Sequence, residues 1–166
     1  MAPRASKFDP YRTFKFRLRV ADGAGGAPKT VAGVTKVSAL GRTVTPNELK
    51  EGGDFLGARQ NPGMVTYDDV TLEWGLSADR TFEEWANAVT RLHQDPAGVS
   101  HFKRTVFIDV YDLASNPQDR ASRPVLSYKL HRCWVTKYVA LPELNADSGG
   151  VGIQSVTLRH EGFERV

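Results

Sequence analysis

The chain is predicted to fold as a mainly β (α+β) domain, an antiparallel barrel or sandwich of about seven strands flanked by one α-helix. Three observations carry this reading. Apolar and polar residues alternate in short runs along most of the chain. Glycine and proline clusters separate those runs. Helical spacing is convincing only over residues 79–93, where Phe82, Trp85, Ala88, Val89 and Leu92 share one face. One helix against a β-rich body is expected to cover the sheet, with Phe82, Trp85, Val89 and Leu92 packing on the barrel wall.

Residues 1–10 are polar and read as a flexible arm that waits for a partner. Residues 11–20 form the cleanest strand. Phe14, Phe16, Leu18 and Val20 take one face, and Lys15, Arg17 and Arg19 the other, as in a sheet with one wet side. Residues 21–28 read as a hairpin turn, and residues 31–40 as the returning strand. Residues 41–63 are polar, interrupted by Gly52-Gly53 and Asn61-Pro62-Gly63, and read as a long loop with a weak strand pair around 42–49. Loops of that length inside a compact domain are often functional. A strand is predicted over 64–74. The helix follows, with Thr81 and Glu84 spaced as a capping box. Further strands are predicted over 104–111, 125–138 and 151–160, with polar loops at 113–123 and 140–150.

Composition narrows the function. The 166 residues suit a single domain over the whole chain, with one sizeable core. The balance is 40% hydrophobic and 25% charged residues, which argues against wholesale disorder. A net charge of +3 is a mild basic bias, below the footprint of a dedicated nucleic-acid binder. Cys133 is the only cysteine, so no intramolecular disulfide forms, which fits a reducing compartment or an unstapled particle protein. No apolar run at the N-terminus marks a signal peptide, and no stretch approaches the roughly 18 apolar residues of a membrane anchor.

A search for chemistry returns little. His93, His101, His131 and His160 lie at no metal-ligand spacing and read as surface or interface residues. Cys133 sits in a strand as a buried, inert thiol. Gly23-Ala24-Gly25-Gly26 lies between strands and opens no helix, so it is no phosphate cradle. Asp68 and Asp69 are strand neighbours that point apart and do not share a proton or a metal. No catalytic, cofactor or metal site is therefore assigned, and the chain is read as a non-enzyme. The basic stretch Arg4, Lys7, Arg12, Lys15, Arg17 and Arg19, interleaved with Tyr11, Phe14 and Phe16, supports an alternative: a small β-barrel module for nucleic acid or another polyanion. The alternation works against it, because the aromatics and the arginines fall on opposite faces.

Segments spread along the chain carry a resemblance. They are Asp9-Pro10-Tyr11-Arg12-x-Phe14-x-Phe16, Val34-x-x-Val37-Ser38, Glu51-Gly52-Gly53-Asp54, Pro62-Gly63, the strand at 67–75, and Phe82-x-x-Trp85. Leu144-Asn145-Ala146 and Val151-x-Ile153-x-Ser155-Val156-x-Leu158-x-His160-Glu161-Gly162-Phe163-Glu164 complete the series. In this order the chain resembles the tail-tube proteins of contractile phages and related contractile injection systems, whose fold is similar to the Hcp inner tube of type VI secretion. Two departures are Trp74, where the family often has a basic residue, and a longer loop at 113–123.

The resemblance implies a β-barrel with one flanking helix, hexameric rings, and a hollow tube inside a contractile sheath. It implies as partners further copies of the chain, the sheath protein, baseplate or spike and tube-terminating proteins, and lumen cargo or DNA. Assembly is expected in the cytoplasm, within a phage tail or a phage-tail-like particle open to release outside the cell. Residues 41–63 are expected to reach the next ring. Asp9, Tyr11, Arg12, Asn47, Glu51, Asp54, Arg59, Asn61, Glu161 and Phe163 are the expected contacts between subunits or rings.

Overall fold

The structure, a computed structural model, describes residues 15–22, 26–31, 33–49, 52–53, 59–92, 102–112, 115, 117, 122–144 and 149–166. The expected N-terminal arm, residues 1–10, lies outside them.

The first strand, β1 (Phe16–Ala21), buries Leu18 and Val20 and turns Arg17 and Arg19 to the other face, as the alternation predicts. Residues 31–40 do not form one returning strand. They divide between β2 (Lys29–Val31) and β3 (Val34–Val37), with Gly33 at φ +85° between them. That conformation suits glycine and reverses the chain. The two short strands consequently join opposite ends of the sheet.

Within residues 41–63 the strand pair expected around 42–49 is present and extends further than expected: β4 (Arg42–Leu49) pairs with β5 (Arg59–Tyr67) in a two-stranded sheet, paired only with itself among the described residues. Every residue of β4 is exposed. A hairpin bare on both faces has no buried side to impose alternation, so its sequence reads as loop. The strand expected at 64–74 likewise divides at Asp68-Asp69, where β5 ends and β6 (Val70–Gly75) begins. β6 buries Val70, Leu72 and Trp74.

The helix α1 spans Thr81–Arg91 and buries Phe82 and Trp85, with Ala86 and Val89 packed against the core and Leu92 half-buried at its end. The expected capping box does not form. Arg80 occupies the capping position, and Thr81 is already helical. The Asp79 carboxylate instead accepts from the Thr81 N–H at 3.0 Å and the Thr81 hydroxyl at 2.6 Å. Asp79 takes the Thr81 N–H that Glu84 would accept in the box, and the Glu84 N–H donates to the Arg80 carbonyl at 2.8 Å, while Glu83 and Glu84 add favourable charge in the first turn.

The remaining strands are β7 (Arg104–Val110), β8 (Leu126–Val139), β9 (Ile153–Arg159) and a short terminal β10 (Gly162–Arg165). The sheet order is β2-β1-β7-β8-β9-β6-β3, antiparallel throughout, with β10 also on β8. The long β8 makes the architecture. Its first half pairs with β7 and β10, and its second half with β9. Between the halves Arg132 adopts φ +52° and the register with β7 shifts, so the strand bends and folds one part of the sheet over the other. The ends β2 and β3 share no ladder, so the barrel is open. One continuous core fills it, drawn from Leu18, Val106, Leu130 and Cys133 on one side and Val70, Leu72, Val156 and Leu158 on the other, with Phe82 and Trp85 from the helix. Full burial of each such side chain contributes about 1.5–3 kcal/mol.

Candidate assembly surfaces

The β4–β5 hairpin is an arm. Val44 faces Val65 across it and Asn47 faces Asn61, with Arg59 opposite Leu49 near its far end. Pro46 stands opposite Pro62, so neither contributes a backbone N–H at that rung. Gly63 allows the strands to close there: a Cβ would stand 2.6 Å from the Thr45 carbonyl and 2.9 Å from Asn47 Oδ1. The arm exposes Val44, Leu49, Val65 and above all Met64, at 75% of its possible surface. An isolated two-stranded hairpin is at best marginal in water. This one carries unpaired outer edges and apolar side chains with nothing from its own chain to cover them among the described residues.

The root of the arm, by contrast, is held. Asp68 N–H donates to the Gly41 carbonyl at 3.1 Å. The Tyr67 ring lies 5.5 Å from His160 and 6.0 Å from Phe163, and Phe163 also meets Tyr128. Gly162, at φ +155°, brings the backbone beside the Tyr67 ring. His160 is buried, not a surface residue; its Nε2 donates to the Asp68 carbonyl at 3.0 Å. Phe163 is half-buried in this cluster, and Glu161 is ion-paired to Lys103 and Arg132. These contacts hold the Glu161 carboxyl below its ordinary range, through the Lys103 hydrogen bond first. Both residues thus tie the C-terminal strand to its neighbours. Asp68 and Asp69 lie between β5 and β6 and not within one strand, and Asp69 pairs with Arg159 at 2.9 Å.

The face of β1 that reads as wet is covered by polar partners. Asp109, fully buried on β7, accepts two hydrogen bonds from Arg19, at 2.5 and 2.9 Å, and one from the Ser127 hydroxyl at 2.5 Å. Arg17 lies 3.8 Å from the same carboxylate, donates to the Pro117 carbonyl, and sits over the Tyr111 ring. Lys15 donates to the Ser115 carbonyl. The hydrogen bond to Asp109 raises the Arg19 pKa further. The cations that suggested a polyanion surface are committed within the chain, which removes the support for that alternative from Lys15, Arg17 and Arg19.

No side-chain cluster among the described residues could hold a metal ion. Cys133 is buried and its thiol is pushed up to about 12 by desolvation. His131 pairs with Glu164 at 3.1 Å. His93 and His101 fall outside the described residues, as do the expected contacts Asp9, Tyr11, Arg12, Glu51 and Asp54. No described helix is long and apolar enough to cross a membrane.

Against known proteins, the profile of the T4-like virus tail tube protein gp19 family matches residues 12–164. The chain belongs to this family. No curated protein sequence matches it. Among solved structures, this tail tube protein is similar to a chain of the anti-feeding prophage baseplate, at TM-score 0.75 and 19% identity over 95% of this chain and 96% of that one. It is similar to a chain of the PVC extracellular contractile injection system sheath–tube complex, at TM-score 0.72 and 17% identity over 95% and 91%. An Hcp protein matches at TM-score 0.53 and 13% identity over 89% of each chain. These likenesses establish a shared fold. The tail tube family is a structural component.

Sequence reasoning missed three features of this tail tube protein. The arm read as a long loop with only a weak strand pair around 42–49, and its full extent to Tyr67 was missed. Asp109, inside the strand expected at 104–111, is the buried centre of a polar cluster that the sequence did not single out. Its one sequence cue was the pair of arginines, Arg17 and Arg19, on a neighbouring strand. The strand β10 lies beyond the closing strand expected at 151–160 and was not anticipated.

Proposed function

We propose that the chain is the structural subunit of the inner tube of a contractile tail or injection system. Hexameric rings stack into a hollow tube, which sheath contraction drives through a target envelope and which conducts or carries cargo. The observation that carries this reading is the β4–β5 arm: rooted by Tyr67, yet exposed along its length with Val44, Leu49, Met64 and Val65 uncovered. Such a hairpin is stabilised when another chain covers it or pairs with its edges. Family membership supports the tube, and a contact repeated head to tail closes rings or builds filaments. Obligate interfaces commonly bury about 2,000 Å² or more, which fits a subunit with so much of its arm in solvent.

In this reading Asn47, Arg59 and Asn61 on the arm meet the next ring, together with Asp9, Tyr11, Arg12, Glu51 and Asp54. Glu161 and Phe163 act from the root, by holding the arm in place. The sheath protein surrounds the tube, with baseplate or spike proteins at one end and a tube-terminating protein at the other. Assembly takes place in the cytoplasm, and the finished particle acts outside the cell that made it. Deleting residues 47–61 tests the arm. A folded barrel that forms no stacked rings by electron microscopy is the expected result. Full-length tubes from the deletion variant refute the role given to the arm.

A further inference from the structure

Among the described residues His160 is the buried histidine, only 4% exposed, and it sits at the root of the arm. It lies between the end of β9 and the start of β10. Its Nε2 stands 3.0 Å from the Asp68 backbone carbonyl. A carbonyl only accepts, so Nε2 carries the proton. The neutral ring then has a bare Nδ1, and Nδ1 is buried without a hydrogen-bond partner. The Tyr67 and Phe163 rings close the site, at 5.5 and 6.0 Å. Asp68 is where the arm meets the barrel. It follows the last residue of β5, and its N–H donates to the carbonyl of Gly41, which precedes β4. His160 thus grips the point at which both strands of the arm enter the body.

We propose that His160 is a proton-operated latch on the root of the arm, closed when the ring is neutral and released when it is charged. A second proton on the ring creates an N–H at Nδ1, inside a closed site that offers it no acceptor. Burying a cation with an unmade donor is unfavourable. The charged ring therefore leaves the site and gives up the Asp68 carbonyl. The direction follows: the folded root accepts only the neutral form, so the grip is complete at neutral pH and is lost as pH falls. Carboxylates on the surrounding elements are engaged elsewhere. Asp69 pairs with Arg159, Glu161 with Lys103 and Arg132, and Glu164 with Lys129 and His131. The Asp68 carboxylate lies against Gly41, where a Cβ would collide with it. The other titratable groups beside the site are the phenols of Tyr67 and Tyr128. Acid would thus free the arm while the barrel stays folded. The inference rests on the fold of the single chain and not on the tube reading.

Hydrogen exchange read by mass spectrometry tests the latch, on the full chain from about pH 8 to about pH 5, the range over which a histidine changes charge. Sedimentation ensures that one oligomeric state is compared at every pH. After correction for the intrinsic pH dependence of exchange, protection in the segment containing Asp68 should fall about tenfold, the scale of one unmade buried donor. Segments of β6 and β9 that contain Leu72 and Val156 should keep theirs. His160→Gln retains an N–H for the Asp68 carbonyl and cannot take up a proton, so its protection should not change with pH. His160→Phe keeps a ring in the site without the bond, so its arm should be loose at every pH. Wild-type protection that is flat across the range overturns the proposal. So does either variant loosening over the same range as the wild type, which assigns the titration to another group such as His131 or Glu161. If neither variant folds, the wild type decides. The Cε1 resonance of His160 in histidine-labelled protein, identified by elimination with His93→Gln, His101→Gln and His131→Gln, should shift together with the exchange. A resonance that stays fixed, or shifts apart from the exchange, overturns the latch.

Discussion

Replacing Trp85 by alanine probes the junction on which the fold turns. Trp85 is fully buried, lies beneath the Arg104 guanidinium, and donates its indole N–H to the Phe102 carbonyl at 2.7 Å. A buried tryptophan covers roughly 150–250 Å², or about 4–6 kcal/mol at 25 cal/mol/Å². Alanine keeps part of that, and the cavity it leaves is only partly filled by relaxation, which places Trp→Ala changes at about 3–5 kcal/mol. The Phe102 carbonyl also loses its donor. Phe102 is only half-buried, so water replaces the bond and this cost stays near about 1 kcal/mol. The expected total is about 5 kcal/mol, a fall in melting temperature of roughly 10–20 °C for a chain of this size. Urea and thermal unfolding at several protein concentrations provide the assay, because midpoints that rise with concentration report assembly and not the fold. Trp85→Phe keeps most of the packing, loses the indole bond, and should cost about 1–2 kcal/mol. A soluble Trp85→Ala subunit with an unchanged midpoint refutes the account of the helix as the brace of the barrel.

Other expectations follow from the same packing. Asp109→Asn should destabilise the fold by about 2–3 kcal/mol, read as a urea midpoint, because it removes the charge facing Arg17 and Arg19; the partial exposure of both arginines keeps the loss at the low end for a broken buried pair. A neutral effect would mean that the cluster is not electrostatically coupled. Asp79→Ala should cost about 0.5–1 kcal/mol by freeing the first N–H of the helix. The Thr81 hydrogen bonds hold the Asp79 carboxyl below its ordinary 3.8. Its contribution is therefore complete above that value and lost as pH falls through the lowered one, so the wild-type and Asp79→Ala stability curves should converge in acid. Curves that stay parallel down to complete acid unfolding would contradict this. Cys133 should resist alkylation at pH 8 in the native protein and react promptly in denaturant, given its burial and a thiol pushed up to about 12. Labelling as fast in the folded protein as in the unfolded would contradict the buried site.

How much of the structure was legible in the sequence depended on whether a face was buried. Leu18 and Val20 on β1, and Val70, Leu72 and Trp74 on β6, alternate against polar neighbours because one side of each strand meets the core. Phe82 and Trp85 announced the helix for the same reason. The arm has no such side, so Arg42–Leu49 gave only a weak strand signal and residues 59–63 read as loop. The capping box was a local pattern that lost to Asp79, a nearer and charged acceptor for the same N–H. Asp109 could not be read as buried, since its cover comes from Arg19 and Ser127, distant in sequence and joined to it only by the sheet. The candidate assembly surface was therefore located by its lack of pattern, while its form and its root on Tyr67, His160 and Phe163 depended on tertiary contacts.

The most direct measurement of the central claim is electron microscopy of the purified full chain, alone and with its sheath and baseplate. The account predicts six-fold rings with a central channel that stack into tubes, each arm ordered against the next ring. A strictly monomeric chain that never assembles, even with those partners present, would contradict it.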